Sequence, residues 1–350
     1  MNSTLHICIH GAGGLGSVIG GYLAKSGHKV TLISRQAHAD AVNNQGLNIF
    51  GRLGDMVVKD NLTAVTTPDQ VVGDIDYYIL LTKAKDAAGA ISDVAVISKQ
   101  IKCALTMQNG VGKESLLIET FGKERVMGGS IIEGATLIEP GRVNNHVTAP
   151  TTAYFGELGG GSTQRTEVLA EAFTNANLNA KSVEDIDNVL WEKIVQVSGA
   201  SSWSASSLSS IPALDYWDGI SIREGAEHYV TIAQELINVY KAMGYELQDY
   251  YAPFSFLKMI DESSFETAVQ ACIDMGVTMK PKTPGVRTSM HEDLLKGKET
   301  EADTLFMPLV EQAKKYNIAI PTFLGAYRVI KTIDSNLRPS QKSSFAPIRR

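Results

Sequence analysis

Near the start of the chain, the stretch LHICIHGAGGLGSVIGGYLAKSGHKVTLISR carries glycines whose spacing suits one kind of chemistry. Gly11, Gly13 and Gly16 fit G-x-G-x-x-G, with Gly14 between them. Where such a turn follows a strand and opens a helix, the first glycine makes the tight turn. The second lets a pyrophosphate approach the backbone, and the third lets the helix pack closely on the strand. The phosphate charge is then held at the helix N-terminus. A dinucleotide is the ligand this pattern implies. An NAD site usually adds Asp or Glu about 20 residues further on, for the ribose 2′-hydroxyl. Here the second strand ends in LISRQ, which offers Arg35 and no carboxylate. A guanidinium there suits a 2′-phosphate, so NADP(H) is the expected cofactor.

These residues need elements to position them. Leu5, Ile7 and Ile9 read as a buried strand, residues 17–26 as a helix and residues 30–33 as a second strand, which completes a βαβ unit. Strand-like runs follow at 77–82, 103–107 and 126–132, separated by helical patterning, so β and α alternate. The rhythm then changes. GATLIEPGRVNNHV has the turn Pro140-Gly141 between two extended stretches, and TAYFGEL reads as a third, so antiparallel strands are expected beside the parallel sheet. A helix over 164–175 and a strand near 179–183 finish this region, which places a boundary close to Glu184. From Asp187 onward, long helical segments dominate. The expected fold class is α/β: a Rossmann-type dinucleotide-binding domain with added antiparallel strands over 1–184, then a mostly α-helical domain over 185–350 with an irregular tail after Ser335.

Composition narrows the function classes. A chain of 350 residues with 44% hydrophobic content can bury a large core. The net charge of −6, with no basic run, disfavours a nucleic-acid partner. No apolar stretch reaches membrane-spanning length and no signal-peptide pattern stands at the N-terminus, so the cytoplasm is the expected compartment. Cys8, Cys103 and Cys272 read as buried free thiols, and the seven histidines show no metal-ligand spacing, so no metal is expected. His10 and His291 lie near candidate sites, but their simplest reading is local hydrogen bonding. The partner is a small molecule, and a homodimer is left open.

Six segments in order resemble the ketopantoate reductases (2-dehydropantoate 2-reductases): GAGGLG, LISRQAH, LLTKAKD, MQNGVG, LWEKIVQ and TSMHEDLLKGKETEAD. The resemblance covers most of the chain. It implies an N-terminal Rossmann domain, a helical C-terminal domain with substrate in the cleft between them, and NADPH-dependent reduction of a 2-keto acid, ketopantoate to (R)-pantoate first among them. Ketone reduction needs a hydride at carbon and a proton at the developing alkoxide. Lys193 in LWEKIVQ matches the family's catalytic lysine, which supplies that proton and stabilises the alkoxide. Glu301 matches the glutamate that engages substrate and positions catalytic groups, and Ser289 matches a substrate-binding serine. Asp293, four residues beyond Ser289, shares its helical face and completes the same pocket wall. Asn109 matches a residue that contacts both cofactor and substrate, and Lys83, with Lys85 as its rival, matches a lysine on the nicotinamide side.

The departures bear on substrate. Val197 stands where many ketopantoate reductases carry a substrate-binding asparagine, and SGASSWSA replaces an asparagine-proline segment. Phe306 and Met307 stand where an asparagine-glycine is usual, and the chain is longer around 240–284. Val197 and Trp203 lean toward a D-2-hydroxyacid dehydrogenase acting on branched or aromatic 2-keto acids. A 3-hydroxyacid dehydrogenase would have K-x-x-N, whereas this chain reads Lys193-Ile194-Val195-Gln196. A non-catalytic NADP-binding sensor is the alternative of a different class.

Overall fold

A computed structural model describes residues 4–337. The chain divides into two compact units: the first runs to Leu190 and takes in Tyr250–Phe254, and the second holds Trp191–Asp249 and the chain from Ser255 onward.

The first unit opens with β1 (His6–His10), α1 (Gly14–Lys25), β2 (Lys29–Ile33), α2 (Gln36–Gln45), β3 (Leu47–Gly51), β4 (Met56–Val58) and β5 (Leu62–Val65). It continues through β6 (Ile75–Leu80), α3 (Ala87–Val94), β7 (Ile101–Thr106), α4 (Ser115–Phe121), β8 (Met127–Glu139), β9 (Arg142–Glu157), α5 (Gln164–Asn175) and β10 (Ala180–Ser182). One sheet is wholly parallel, in the order β5-β2-β1-β6-β7. Its central strands β1 and β6 are buried along nearly their whole length, as expected of a parallel sheet covered on both faces. The order reverses between β1 and β6, and ligands of such sheets bind outside the carboxyl ends of the strands at that point.

The second sheet differs from expectation. The segments at 126–132 and 134–139 are one strand, β8, and TAYFGEL is the end of the long strand β9 rather than a strand of its own. Val126, just ahead of β8, makes a parallel bridge to Ala104 of β7; beyond it β8 pairs antiparallel with β9. Register shifts near Ile131, Gly134 and Leu137 let so long a pair bend. β9 also pairs in parallel with β3 and β10, so the added strands form a mixed sheet with its own order. The buried residues of α1 pack between the two sheets: a Cβ on Gly20 would meet Leu32, and one on Gly21 would meet Ile49 and Leu47.

α6 (Ile186–Leu208) begins in the first unit and runs into the second. The second unit continues with α7 (Tyr216–Ile220), α8 (Arg223–Ala242), α9 (Leu257–Glu262), α10 (Phe265–Met279), α11 (Ser289–Leu295), α12 (Ala302–Lys315) and α13 (Pro321–Leu337). The serine-rich stretch is helical, and its serines are satisfied within it: Ser202 and Ser206 bond back to the carbonyls of Gly199 and Ser202. Trp203 is fully buried and packs edge-on against Tyr216 and Tyr229, so it belongs to the core and gives no preference for aromatic substrates. Of the expected irregular tail, residues 338–350 lie outside the described residues, and α13 extends to Leu337.

Candidate active site

The glycines of the N-terminal turn do different jobs. Gly11 has φ +104°, and a Cβ there would lie 2.5 Å from the Thr82 amide nitrogen and 2.6 Å from the Leu81 carbonyl carbon. Only glycine fits both the conformation and the contact. A Cβ on Gly16 would lie 2.6 Å from the Gly11 carbonyl oxygen, and one on Gly14 would lie 2.6 Å from the Ala135 carbonyl oxygen of β8. Gly14 is therefore required by the second sheet, a constraint the motif alone does not contain. Gly13 is the exception: it is exposed, and a Cβ there would meet nothing within 4 Å. Gly13 caps α1 without a side-chain hydrogen bond, so the first-turn N–H groups are left to an outside acceptor. An open glycine ahead of uncapped amides fits a dinucleotide pyrophosphate.

The other candidates of this unit sit on the same edge. Arg35 follows β2 and is the exposed N-cap of α2. Lys83 follows β6 and is exposed, as is Lys85 in the next turn. Asn109 follows β7 and is half-buried. Since β2, β1, β6 and β7 are neighbours, Arg35, the glycine turn, Lys83 and Asn109 line one continuous rim.

Two residues near Asn109 were missed by sequence reasoning. Gln108 donates from Nε2 to the Thr82 carbonyl at 2.7 Å, and the Lys113 ammonium donates to the carbonyls of Gln108 at 2.6 Å and Gly129 at 2.9 Å. Burial pushes the Lys113 ammonium below the usual lysine range, partly offset by Glu114, and pushes the Glu114 carboxyl up. Nothing in the run QNGVGKE signals that a lysine will fold back on its own loop.

His10 bonds to the Tyr78 hydroxyl at 2.9 Å, and desolvation lowers it to about 4, so it stays neutral behind the glycine turn. Glu133, on β8 near the Gly14 contact, accepts from Thr148 at 2.7 Å and from Asn145, and burial pushes its carboxyl up to about 7.

In the second unit Lys193 is buried, at 6% exposure, on α6. Val197, Ala200 and Ser204 follow it at helical spacing on the same face. Ser204 bonds to Thr288 at 2.9 Å, and Ser198 donates to the Leu305 carbonyl at 3.2 Å. The first bond ties the start of α11 to α6, and the second ties the first turn of α12. Lys193, Ser289, Asp293 and Glu301 thus lie on three helices held together. Thr288, not Ser289, caps α11 through the His291 amide, which leaves Ser289 exposed in the first turn and Asp293 half-buried one turn on. Glu301 is the half-buried N-cap of α12 and makes no side-chain cap bond. His291 is not locally satisfied as expected: it is fully buried, and neither ring nitrogen has a partner among the described residues. Desolvation, then Arg287, lowers its proton affinity. All three cysteines are buried and free. Among the described residues, no cluster of His, Cys, Asp and Glu is placed to hold a metal, and no helix is long and apolar enough to cross a membrane.

A reversed parallel sheet with an open glycine turn at its carboxyl edge defines a Rossmann-type dinucleotide-binding unit, here in a chain that also carries a helical unit with a buried lysine. The sequence profile described as Ketopantoate reductase PanE/ApbA matches residues 7–160, and the one described as Ketopantoate reductase PanE/ApbA C terminal matches residues 185–334. The chain belongs to the ketopantoate reductase family, and it is an oxidoreductase. It is 28% identical to the 2-dehydropantoate 2-reductase of Pyrococcus horikoshii, with 95% of this chain and 98% of that protein covered. The crystal structure of 2-dehydropantoate 2-reductase from Methylococcus capsulatus is similar at TM-score 0.75 and 25% identity, over 95% of this chain and 98% of the other. A ternary structure of D-mandelate dehydrogenase with NADH and anilino(oxo)acetate shares the fold at TM-score 0.74 and 22% identity, over 95% and 99%.

Proposed function

We propose that this chain uses NADPH to reduce a 2-keto acid to a 2-hydroxy acid, with ketopantoate to (R)-pantoate the first candidate. The observation that carries the reading is the buried Lys193 on a helix fastened to the starts of α11 and α12, in a chain of this family. On this reading Gly11, Gly13, Gly14 and Gly16 form the pyrophosphate turn, Arg35 pairs with the 2′-phosphate, and Lys83 and Asn109 hold the nicotinamide end. The bound cofactor supplies hydride to the keto carbon. The Lys193 ammonium donates its proton to the keto oxygen and stabilises charge there before transfer. Its burial keeps competing water away from that proton. Ser289 and Asp293 recognise the polar groups of the substrate, and Glu301 orients the substrate beside Lys193; Asn109 is the first unit's candidate for a ligand contact.

A second reading has one observation in its favour. Val197, half-buried one turn from Lys193, offers no hydrogen bond to a substrate hydroxyl. That favours simple branched or aromatic 2-keto acids, as for a D-2-hydroxyacid dehydrogenase, and the D-mandelate dehydrogenase of similar fold is an enzyme of that kind.

NADPH absorbance with a panel of 2-keto acids tests both readings. Oxidation with ketopantoate supports the first, and oxidation with other members in preference supports the second. NADPH binding without turnover on any member would make the chain a sensor and refute both.

A further inference from the structure

Three loops of the first unit carry the expected cofactor contacts, and one glutamine fastens two of them together. The Gln108 side chain donates to the Thr82 carbonyl and accepts from Thr106 Oγ1 at 2.9 Å, while Thr106 Oγ1 also lies 3.3 Å from the Leu80 carbonyl. The Leu81–Thr82 peptide that receives Gln108 is the one against which Gly11 is pressed. The loops after β1, β6 and β7 are therefore in series through two contacts. Lys113 closes the series from behind, because its ammonium spans the Gln108 carbonyl, one residue before Asn109, and the Gly129 carbonyl of β8. An ammonium has three donors and no acceptor, and the two carbonyl oxygens replace the water that burial removes from it. The Asn109 side chain is not among the groups in these bonds, so the loop is fixed at Gln108, through both its side chain and its carbonyl, beside the amide expected to meet a ligand.

We propose that Lys113 is a positioning residue for Asn109, holding the peptide ahead of it while Gln108 clips the same loop to Thr82. This rests on the reading of Asn109 as a ligand contact. Without Lys113 the loop keeps its sequence but loses the charge-assisted bonds that set where the Asn109 amide points.

The test is a double-mutant cycle between Lys113→Met and Asn109→Ala, read in KM for the best 2-keto acid, in kcat and in NADPH Kd. Lys113→Met loses both ammonium bonds and is expected to raise KM about tenfold through the displaced Asn109 amide, while kcat changes by less than about threefold. Lys113→Arg should recover most of the loss. In the double variant KM should be no worse than in Asn109→Ala alone, because the clamp then holds nothing that binds. Additive losses would overturn the proposal, and so would failure of Lys113→Arg to recover. If thermal unfolding shows that Lys113→Met does not fold, Gln108→Ala replaces it in the cycle under the same criterion. If no 2-keto acid is reduced, the functional reading fails on its own, and the cycle in NADPH Kd still decides the clamp: coupled losses sustain it and additive ones reject it.

Discussion

Alanine at Gly13 should separate binding from folding in a way that alanine at Gly11 cannot. Gly13 has φ −82° and ψ −147°, and its added methyl would meet nothing within 4 Å. The folded state pays only the loss of a slightly better N-cap, about 0.5–1 kcal/mol, and the stiffer unfolded chain returns about 0.4–1 kcal/mol. The two nearly cancel, so Gly13→Ala should shift Tm by no more than about 2–4 °C. The same methyl occupies the space through which a pyrophosphate reaches the α1 amides, and NADPH Kd should rise at least about tenfold. Gly11→Ala is the contrast. It places a side chain at φ +104°, worth about 1–3 kcal/mol of strain, and drives a carbon to 2.5 Å from the Thr82 nitrogen. It should lower Tm well beyond the Gly13 variant. The assays are NADPH fluorescence titration and thermal unfolding on both variants. Parental NADPH affinity in Gly13→Ala, or parental stability in Gly11→Ala, would refute the division of labour among the glycines.

Arg35→Ala should weaken NADPH binding at least about tenfold and NADH binding little, since one charge-assisted pair to the 2′-phosphate is lost; equal weakening in paired titrations would contradict the NADP assignment. Val197→Asn should raise kcat/KM for ketopantoate relative to 2-ketoisovalerate by about 5–30-fold, the worth of one partnered hydroxyl, and an unchanged ratio would place the hydroxyl contact elsewhere. Glu133, pushed up to about 7 by burial, binds more protons folded than unfolded between about pH 4.5 and 7, so it withdraws stability as pH rises through that window. Glu133→Gln keeps an acceptor for Thr148 and Asn145, and should raise Tm at pH 8 while leaving it unchanged at pH 4; a rise of equal size at both would show that charge is not the cause.

What the sequence disclosed depended on how local the cause was. The βαβ start was legible because turn, helix and strand follow one another within a single unit, and the helix at 164–175 was read to the residue. The strands β3, β4 and β5 went unread: they are short, and β3 and β5 are held by pairing with β9 and β2, distant in sequence, while β4 only pairs with β3. The split of 126–157 into several strands failed for a related reason, since β-bulges rather than turns interrupt the alternation. At the candidate site, family motifs flagged Lys193, Ser289, Glu301 and Asn109, and helical spacing from Ser289 flagged Asp293. The bonds that gather their helices, Ser204 to Thr288 and Ser198 to Leu305, join residues 84 and 107 positions apart and leave no periodic trace. Gln108 and Lys113 escaped because their partners are main-chain carbonyls, which every residue type supplies.

The central claim is that Lys193 delivers the proton, and single-turnover hydride transfer at saturating NADPH and 2-keto acid tests it most directly. Removing a positioned acid typically costs about 10²–10⁴-fold in the chemical step. Lys193→Ala is expected to show that loss with NADPH Kd nearly unchanged, because the pyrophosphate is held by the glycine turn and the α1 amides rather than by Lys193. A folded Lys193→Ala protein that binds both ligands and transfers hydride at the parental rate would make the lysine structural and contradict the account.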